Sequence, residues 1–204
     1  MRTTYRQFSS KLVTFQFAFI FCVFVAHMQT ASAGLLSELN IQSVPTAKQV
    51  DVGFSPDGSA EANVLKVIGS AKSEIQMAAY EFTSKNVMNA LINAKNRGCN
   101  VSVIFDEQTT LETKYGKESY QRKLVAFMAQ SGIAVRLDGQ HAIQHNKYLI
   151  VDNQHVETGS FNYTVAATKN NAENSIVLWN SPDLAKVYRG DWETHWAHSQ
   201  KFPE

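Results

Sequence analysis

Residues 145–162 read HNKYLIVDNQHVETGSFN, and this stretch predicts two short strands joined by a turn. Apolar residues dominate 142–151 and recur in 155–159. The segment 152–154, Asp-Asn-Gln, separates them and favours a turn. We therefore expect an antiparallel strand pair at this point of the chain.

Polar side chains are expected to converge on one patch of this strand pair. Strand side chains alternate between two faces, so His145 and Lys147 point the same way. A two-residue turn at Asn153-Gln154 would place Lys147 opposite Ser160 and His145 opposite Asn162. Polar groups gathered on an apolar strand pair are costly to bury, which favours a functional reason for them.

These four side chains suit displacement at a phosphodiester. An imidazole is a competent nucleophile near neutral pH, and an ammonium supplies a point charge for phosphate oxygens. The hydroxyl and the amide can donate hydrogen bonds as negative charge develops. In the sequence no group of carboxylates or thiols accompanies them to hold a metal, so we expect neither a metal nor a cofactor.

The sequence on both sides of this stretch alternates between strand and helix patterns. This alternation predicts an α/β fold with a mixed β-sheet flanked by helices. A last helix opens at Pro182, and its aromatic stripe predicts a core or a subunit interface. The predicted strands are 50–54, 74–82, 101–105, 133–137 and 176–179, and the other predicted helices are 60–71, 84–97 and 118–130.

The N-terminal segment has the three-part pattern of a secretory signal peptide. Basic residues precede an apolar run from Leu12 to about Ala26, and Ala31-Ser32-Ala33 follows. We expect cleavage before Gly34, with an uncleaved N-terminal anchor as the alternative. The predicted organisation is a signal peptide at 1–33, a tether at 34–45 and one catalytic domain at 46–204, exported to a periplasm or to the outside of the cell.

Net charge does not by itself predict a polyanion-binding protein. The chain has 19 basic and 18 acidic residues; removal of 1–33 takes away three basic residues and no acidic ones, which leaves 16 against 18. A polyanion would therefore be held by a local patch. Four basic residues form one such group, although a solvated surface is the simpler interpretation: Lys114, Lys117, Arg122 and Lys123.

The spacing of the polar residues resembles the signature of the phospholipase D superfamily. That signature is His-x-Lys-x4-Asp-x6-Gly-Ser followed by Asn, and the chain carries it at His145, Lys147, Asp152, Gly159, Ser160 and Asn162. Asn162 stands one position earlier than in the longer form of the signature, as in the small nucleases. The chain is most similar to the small bacterial Nuc-type endonucleases, which carry a single copy, and the resemblance implies a phospholipase D-like sandwich.

The resemblance also implies roles for these residues. The motif histidine, His145, attacks phosphorus and forms a phosphohistidine, and a second histidine protonates the leaving oxygen. Lys147, Ser160 and Asn162 bind phosphate oxygens. A downstream glutamate, matched by Glu173, orients the histidine. Strand alternation points Asp152 away from His145 and Lys147, which agrees with the structural role that the family pattern implies for it. The resemblance implies a structural role for Gly159 as well.

Other histidines are expected to matter less. His141 lies close to the motif and could contribute to a substrate groove, but an ordinary loop histidine is the simpler interpretation. His155, His195 and His198 are expected to be exposed or interfacial.

Substrate and assembly remain open at the level of sequence. A nonspecific endonuclease acting on DNA, and on RNA as a further substrate, is favoured by the single motif and the small size. The alternatives are a phospholipase acting on phospholipid head groups and a noncatalytic nucleic-acid-binding protein. One motif copy does not supply two histidines on opposite sides of one phosphorus, which predicts a twofold homodimer with a composite active site. The alternative is a monomer that recruits His141 or another local residue as the general acid.

Overall fold

Strands and helices alternate along residues 42–45, 47–114 and 117–203, which are the residues that the computed structural model describes. The strands are β1 Gln49–Ser55, β2 Glu74–Ala79, β3 Asn100–Asp106, β4 Thr113–Lys114, β5 Lys117–Glu118, β6 Ala134–Asp138, β7 Lys147–Val151, β8 His155–Gly159, β9 Glu173–Trp179 and β10 Gln200–Lys201. The helices are α1 Ser59–Ser70, α2 Lys85–Asn96, α3 Glu107–Leu111, α4 Tyr120–Gln130, α5 Val165–Lys169 and α6 Pro182–His198.

The main sheet has eight strands in the order β1-β9-β8-β7-β2-β3-β6-β10. Its β2-β3 and β3-β6 pairs are parallel, and the remaining pairs are antiparallel. Strand β7, which begins at Lys147, is central and buried along its whole length. The predicted α/β class with a mixed sheet flanked by helices is confirmed.

Helices cover the two faces of the sheet unequally. On one face α1, α2 and α4 bury the larger apolar core, which includes Val64, Leu91 and Leu124. On the other face, α6 is the one helix among the described residues, and it packs against β2, β6, β7 and β8. Its aromatic stripe belongs to this second core, where the Trp192 and Trp196 rings stack at 4.6 Å.

Four predicted element boundaries were wrong by two residues or more, and three of them matter for the site. Strand β9 begins at Glu173 and not at residue 176. Helix α4 begins at Tyr120 because the Ser119 side chain accepts the Arg122 N–H as an N-cap. Strand β2 ends at Ala79 and not at Phe82, and β7 begins at Lys147 and not at Ala142. Because of these two changes, residues 80–82 and 142–146 lie outside the strands, next to the start of β7 at Lys147.

The compact unit that contains all these elements is Val44–Glu204. The predicted signal peptide at 1–33 and most of the tether at 34–45 lie outside the described residues, so those predictions stay predictions. Within the described part of the chain no helix combines the length and the apolar character needed to cross a membrane.

Candidate active site

The turn between β7 and β8 differs from the predicted one. Asp152 and Asn153 have φ angles of 52° and 54°, and Gln154 N–H donates to the Val151 carbonyl at 3.0 Å, which defines a type I′ turn. Pairing then resumes with Val151 opposite His155. The predicted register, with Lys147 opposite Ser160 and His145 opposite Asn162, was wrong by one residue.

His145 lies in the loop before β7 and is exposed. Its ring packs against Tyr80, with ring centroids 4.4 Å apart. The preceding residue fixes the loop, because Gln144 is buried and its N–H donates to the Asp106 carboxylate at 2.8 Å. The imidazole is therefore held in place on one side and open to solvent on the other.

Lys147 is buried at the start of β7, only two residues from the exposed imidazole. Its Nζ donates to the His145 carbonyl at 2.6 Å and lies 5.1 Å from the centroid of the Tyr80 ring. Burial lowers the pKa of this ammonium below its usual value, while the carboxylates of Glu81 and Glu173 act in the opposite direction. A desolvated ammonium acts more strongly on a nearby phosphate than a solvated one.

Ser160 and Glu173 form the next part of the site. The Ser160 hydroxyl donates to the Glu173 carboxylate at 2.6 Å and accepts from Asn174 N–H at 3.1 Å. Asn171 Nδ2 also donates to Glu173, at 2.9 Å. The structure thus joins Glu173 to Ser160, whereas the expected contact is with His145.

Asn162 is linked to the site by a hydrogen bond to an acidic residue, Glu81. Its Nδ2 donates to the Glu81 carboxylate at 3.2 Å. Glu81 follows the end of β2, and its charge acts on Lys147. Asn162 is therefore connected to Lys147 through Glu81, although it does not face His145 directly across the strand pair.

A cleft of about 490 Å³ contains the central part of this constellation. His145, Lys147 and Ser160 line one side of it, and Tyr188 and Asp191 of α6 line the other. The cleft thus exposes an imidazole beside an ammonium and a hydroxyl. A phosphate group could contact all three at once.

Comparisons with known proteins show the family of the chain. The family described as "Cardiolipin synthase, PLD-like domain" matches residues 64–196. A phospholipase D from Rickettsia typhi is 34% identical over 158 residues, which cover 76% of this chain and 73% of the relative. The chain belongs to the phospholipase D-like family.

Two further similarities extend the comparison. The crystal structure of Nuc, a phospholipase D family member from Salmonella typhimurium, has 42% sequence identity and a TM-score of 0.71, and the match covers 76% of this chain and 99% of Nuc. A mitochondrial cardiolipin hydrolase from Xenopus tropicalis is 28% identical over 149 residues, which cover 73% of this chain and 67% of the relative.

Two residues of the phospholipase D signature hold the backbone of the site. A Cβ atom at Gly159 would lie 2.2 Å from the Asn174 carbonyl oxygen, so only glycine fits there. Asp152 lies at the far end of β7 and accepts backbone N–H groups from Lys72, Ser73 and Glu74. Although burial opposes it, these hydrogen bonds lower the pKa of Asp152. Asp152 thus holds the start of β2 beside β7, and Gly159 permits the close approach of β8 and β9.

Sequence reasoning missed three residues around the phospholipase D signature: Tyr80, Glu81 and Asp106. Tyr80 and Glu81 were assigned to a strand, and only the early end of β2 brings them to the site. Asp106 was not singled out, yet it caps α3 and anchors Gln144. An Asp directly after a buried strand is the one signal that could have found it.

The expected basic group is only partly described. Arg122 forms an ion pair with Glu118 at 3.2 Å, and Lys123 is exposed on α4. The side chains of Lys114 and Lys117 lie outside the described residues. Near Arg122, Gln121 Nε2 donates to the Tyr80 carbonyl at 3.2 Å, so the start of α4 lies beside the segment that packs on His145.

A second cluster of polar side chains gathers three histidines that were expected to matter less. His195 Nδ1 and His198 Nε2 contact one oxygen of buried Asp138 at 2.6 and 3.1 Å. The His141 ring lies 5.2 and 5.6 Å from those two rings. His141 is an exposed loop residue, as expected, whereas His195 and His198 are half-buried and not exposed. The alternative that these two lie at a subunit interface stays a prediction. We call Asp138, His141, His195 and His198 the histidine–aspartate cluster. His155 lies apart from it and accepts the Asn180 N–H.

Proposed function

We propose that this phospholipase D-like protein is a metal-independent phosphodiesterase with His145 as its nucleophile. The observation that carries the proposal is the cleft, in which the exposed His145 imidazole adjoins the buried Lys147 ammonium and the exposed Ser160 hydroxyl. A phosphate placed there would meet a nucleophile and a desolvated positive charge, and the Ser160 hydroxyl would donate to it after turning its proton away from Glu173. The charge that a metal ion would supply in other phosphodiesterases is supplied by Lys147.

The reaction has two displacements. An imidazole nitrogen of His145 bonds to phosphorus, the bond from phosphorus to the leaving oxygen breaks, and that oxygen takes a proton from a general acid. Water then attacks the phosphohistidine after losing a proton to the same group. The products are an alcohol and a phosphomonoester, and His145 is regenerated.

Nucleic acid is the substrate class that we propose, with DNA first and RNA as a further substrate. Three features support it: the single-copy motif resembling the Nuc-type endonucleases, the similarity to Salmonella Nuc, and the start of α4, which carries Arg122 and contacts the Tyr80 carbonyl through Gln121. The N-terminal sequence pattern supports action outside the cytoplasm, in a periplasm or beyond the cell.

An apolar sheet face supports the proposed homodimer. Val50, Val52 and Phe54 of β1 are 42%, 57% and 56% exposed. Their backbone partners in β9 are Leu178, Ile176 and Asn174. These side chains lie on the same sheet face as α6, but α6 covers that face at the neighbouring strands, beginning with β8. Exposed apolar surface of this kind marks interaction sites. We call Val50, Val52, Phe54, Ile176 and Leu178 the apolar β1–β9 face.

This face ends at the proposed site. Phe54 is opposite Asn174 and Ser55 is opposite Glu173, while both Asn174 and Glu173 bond to Ser160. A second copy seated on the apolar β1–β9 face would therefore lie beside the catalytic residues. His145 of the second copy could then act as the general acid, which the single motif otherwise lacks.

A phospholipase is the second candidate. The names of the Rickettsia relatives and of the Xenopus cardiolipin hydrolase favour it, since those proteins are similar over about three quarters of this chain. The apolar β1–β9 face would then contact lipid. The same cleft serves both reactions, so only substrate tests separate them.

The test incubates purified protein with plasmid DNA, RNA and cardiolipin-containing vesicles in excess chelator, beside His145→Ala protein prepared in parallel. We expect the wild type to cleave nucleic acid in excess chelator, because the proposed reaction needs no metal. We expect no cleavage by His145→Ala, because that variant lacks the proposed nucleophile. Lipid hydrolysis without nucleic acid cleavage would favour the second candidate. Activity lost on metal removal and restored by Mg²⁺ or Zn²⁺ would show the proposed metal-free chemistry to be wrong.

A further inference from the structure

The histidine–aspartate cluster joins three separate parts of the fold. Asp138 ends β6, His141 lies in the loop between β6 and β7, and His195 and His198 stand three residues apart on α6. One ligand atom from each of the four residues lies within 4.8 Å of the others. The described residues that line the cleft around His145 include none of the four.

We propose that the histidine–aspartate cluster binds one divalent transition-metal ion, Zn²⁺ being the best match, as a structural site separate from the phosphodiester cleft. Three imidazoles and one carboxylate form a complete tetrahedral set for Zn²⁺. A complete protein shell is the arrangement of structural sites, whereas catalytic sites keep an open position. The inference does not depend on the proposed function.

The contacts within the cluster fit a metal better than a simple hydrogen-bond network. His195 and His198 both direct a ring nitrogen at Asp138 Oδ2, whose side chain is fully buried. Hydrogen bonds to Asp138 account for two of the imidazoles, whereas one cation can be shared by all three and the carboxylate, whose ligand atoms lie within 4.8 Å of one another. His141 is exposed in a loop, so rotation of its side chain can complete the coordination.

Surrounding groups supply the support that metal ligands require. The other oxygen of Asp138 accepts the Gln140 N–H at 2.9 Å. His195 Nε2 lies 3.8 Å from the Asp191 carboxylate and 3.5 Å from Asn146 Nδ2. Such outer contacts fix the orientation of ligand rings. A cavity of about 490 Å³, lined by Asp138 and His141 among others, gives an ion a path to the cluster.

The position of the site gives the ion a mechanical role. The loop that carries His141 continues to His145, and Asn146 beside His145 contacts His195. A bound ion would tie this loop to β6 and α6. The hydrogen bonds from His195 and His198 to Asp138 already join β6 to α6 in the metal-free protein, so we expect metal removal to lower stability without abolishing turnover.

Metal binding to the purified protein tests the proposal without any activity assay. After chelation and removal of the chelator, ZnCl₂ is titrated by calorimetry, and CoCl₂ is added to record the visible absorption of tetrahedral Co²⁺. We expect one ion per chain, a tetrahedral Co²⁺ spectrum, and a rise in Tm of about 5 to 10 °C at a Zn²⁺ concentration about 100-fold above Kd.

Two variants and a control make the result specific. His141→Ala changes an exposed loop residue and should fold normally, and His198→Ala removes a helical ligand; each should weaken Zn²⁺ binding by about 100-fold or more. His155→Ala removes a histidine outside the cluster and should bind as the wild type does. Failure of the wild type to bind Zn²⁺, or equal binding by all three variants, would overturn the proposal.

Discussion

Two residues of the motif, only two positions apart, have opposite environments. His145 is exposed and its ring is tilted against Tyr80, and the proposed nucleophile needs this exposure to reach phosphorus. Lys147 is buried and donates to the His145 carbonyl. The exposed residue belongs to a loop and the buried one to a central strand. The division between loop and strand therefore assigns different roles to neighbouring side chains.

Lys147 should be intolerant of substitution, including by arginine. Its Nζ has a 2.6 Å contact with the His145 carbonyl in a buried position, and a guanidinium is larger and directs its donors differently. We expect Lys147→Ala to lower kcat by about 100-fold or more, and Lys147→Arg to restore little of it. Steady-state kinetics on plasmid DNA measures both.

Lys66→Arg is the matched control for this prediction. Lys66 is exposed and forms a surface ion pair with Asp51, so its replacement should leave kcat unchanged. Near-normal turnover by Lys147→Arg would argue against a tightly fitted ammonium site.

The sequence predicted the motif residues because their spacing is local, and it missed those that depend on distant contacts. His145, Lys147 and Ser160 are brought together by one strand pair. Asp138 and His195 meet only because α6 returns across the sheet, 57 residues later. Alternation along one segment carries no information about such a return.

At the scale of elements, the β7-β8 hairpin shows where pattern reasoning fails. Its two strands were predicted, but the turn uses Asp152 and Asn153 instead of Asn153 and Gln154. Asp and Asn tolerate positive φ better than Gln does. Gln154 is left unpaired, so β8 is shifted by one residue against β7 relative to the predicted pairing. A shift of one residue exchanges the two faces of a strand.

The close packing of the β8 backbone against β9 should depend on Gly159. A methyl group there would overlap the Asn174 carbonyl oxygen, and Asn174 also bonds to Ser160. We expect Gly159→Ala to lower the free energy of unfolding by about 1–3 kcal/mol and to reduce turnover through displacement of Ser160. Urea denaturation and the cleavage assay measure the two effects.

Gly190→Ala provides the comparison, because it makes the same chemical change within α6. No atom lies within 4 Å of a Cβ placed there, and alanine favours a helix over glycine by about 0.5–1 kcal/mol. This variant should be as stable as the wild type or more so. Equal stability of Gly159→Ala and the wild type would contradict the steric account.

At the scale of the whole molecule, the described helices cover one face of the sheet, whereas on the other face α6 is the one described helix and covers part of it. Composition and alternation predicted the α/β class correctly, because each element carries its own pattern. They could not predict the apolar β1–β9 face, since exposed and buried valines look alike in a sequence. The proposed second copy completes this face.

The dimer makes a paired prediction. Phe54→Ser should shift the protein towards monomer and lower its activity at dilute concentration, because it removes apolar area from the proposed interface. Phe127→Ser changes a comparably exposed phenylalanine on α4, behind the opposite sheet face, and should do neither. Sedimentation equilibrium and activity at several concentrations measure both. A fully active monomeric protein would refute the composite site.

The rate of the His145→Ala variant on plasmid DNA in excess chelator tests the central claim most directly. The exposed imidazole contributes little to packing, so the variant should fold as the wild type does and remove only the nucleophile. We predict a loss of about 1000-fold or more in kcat with an unchanged circular dichroism spectrum. Retention of more than about a tenth of wild-type activity by the folded variant would contradict the assignment of His145 as the nucleophile.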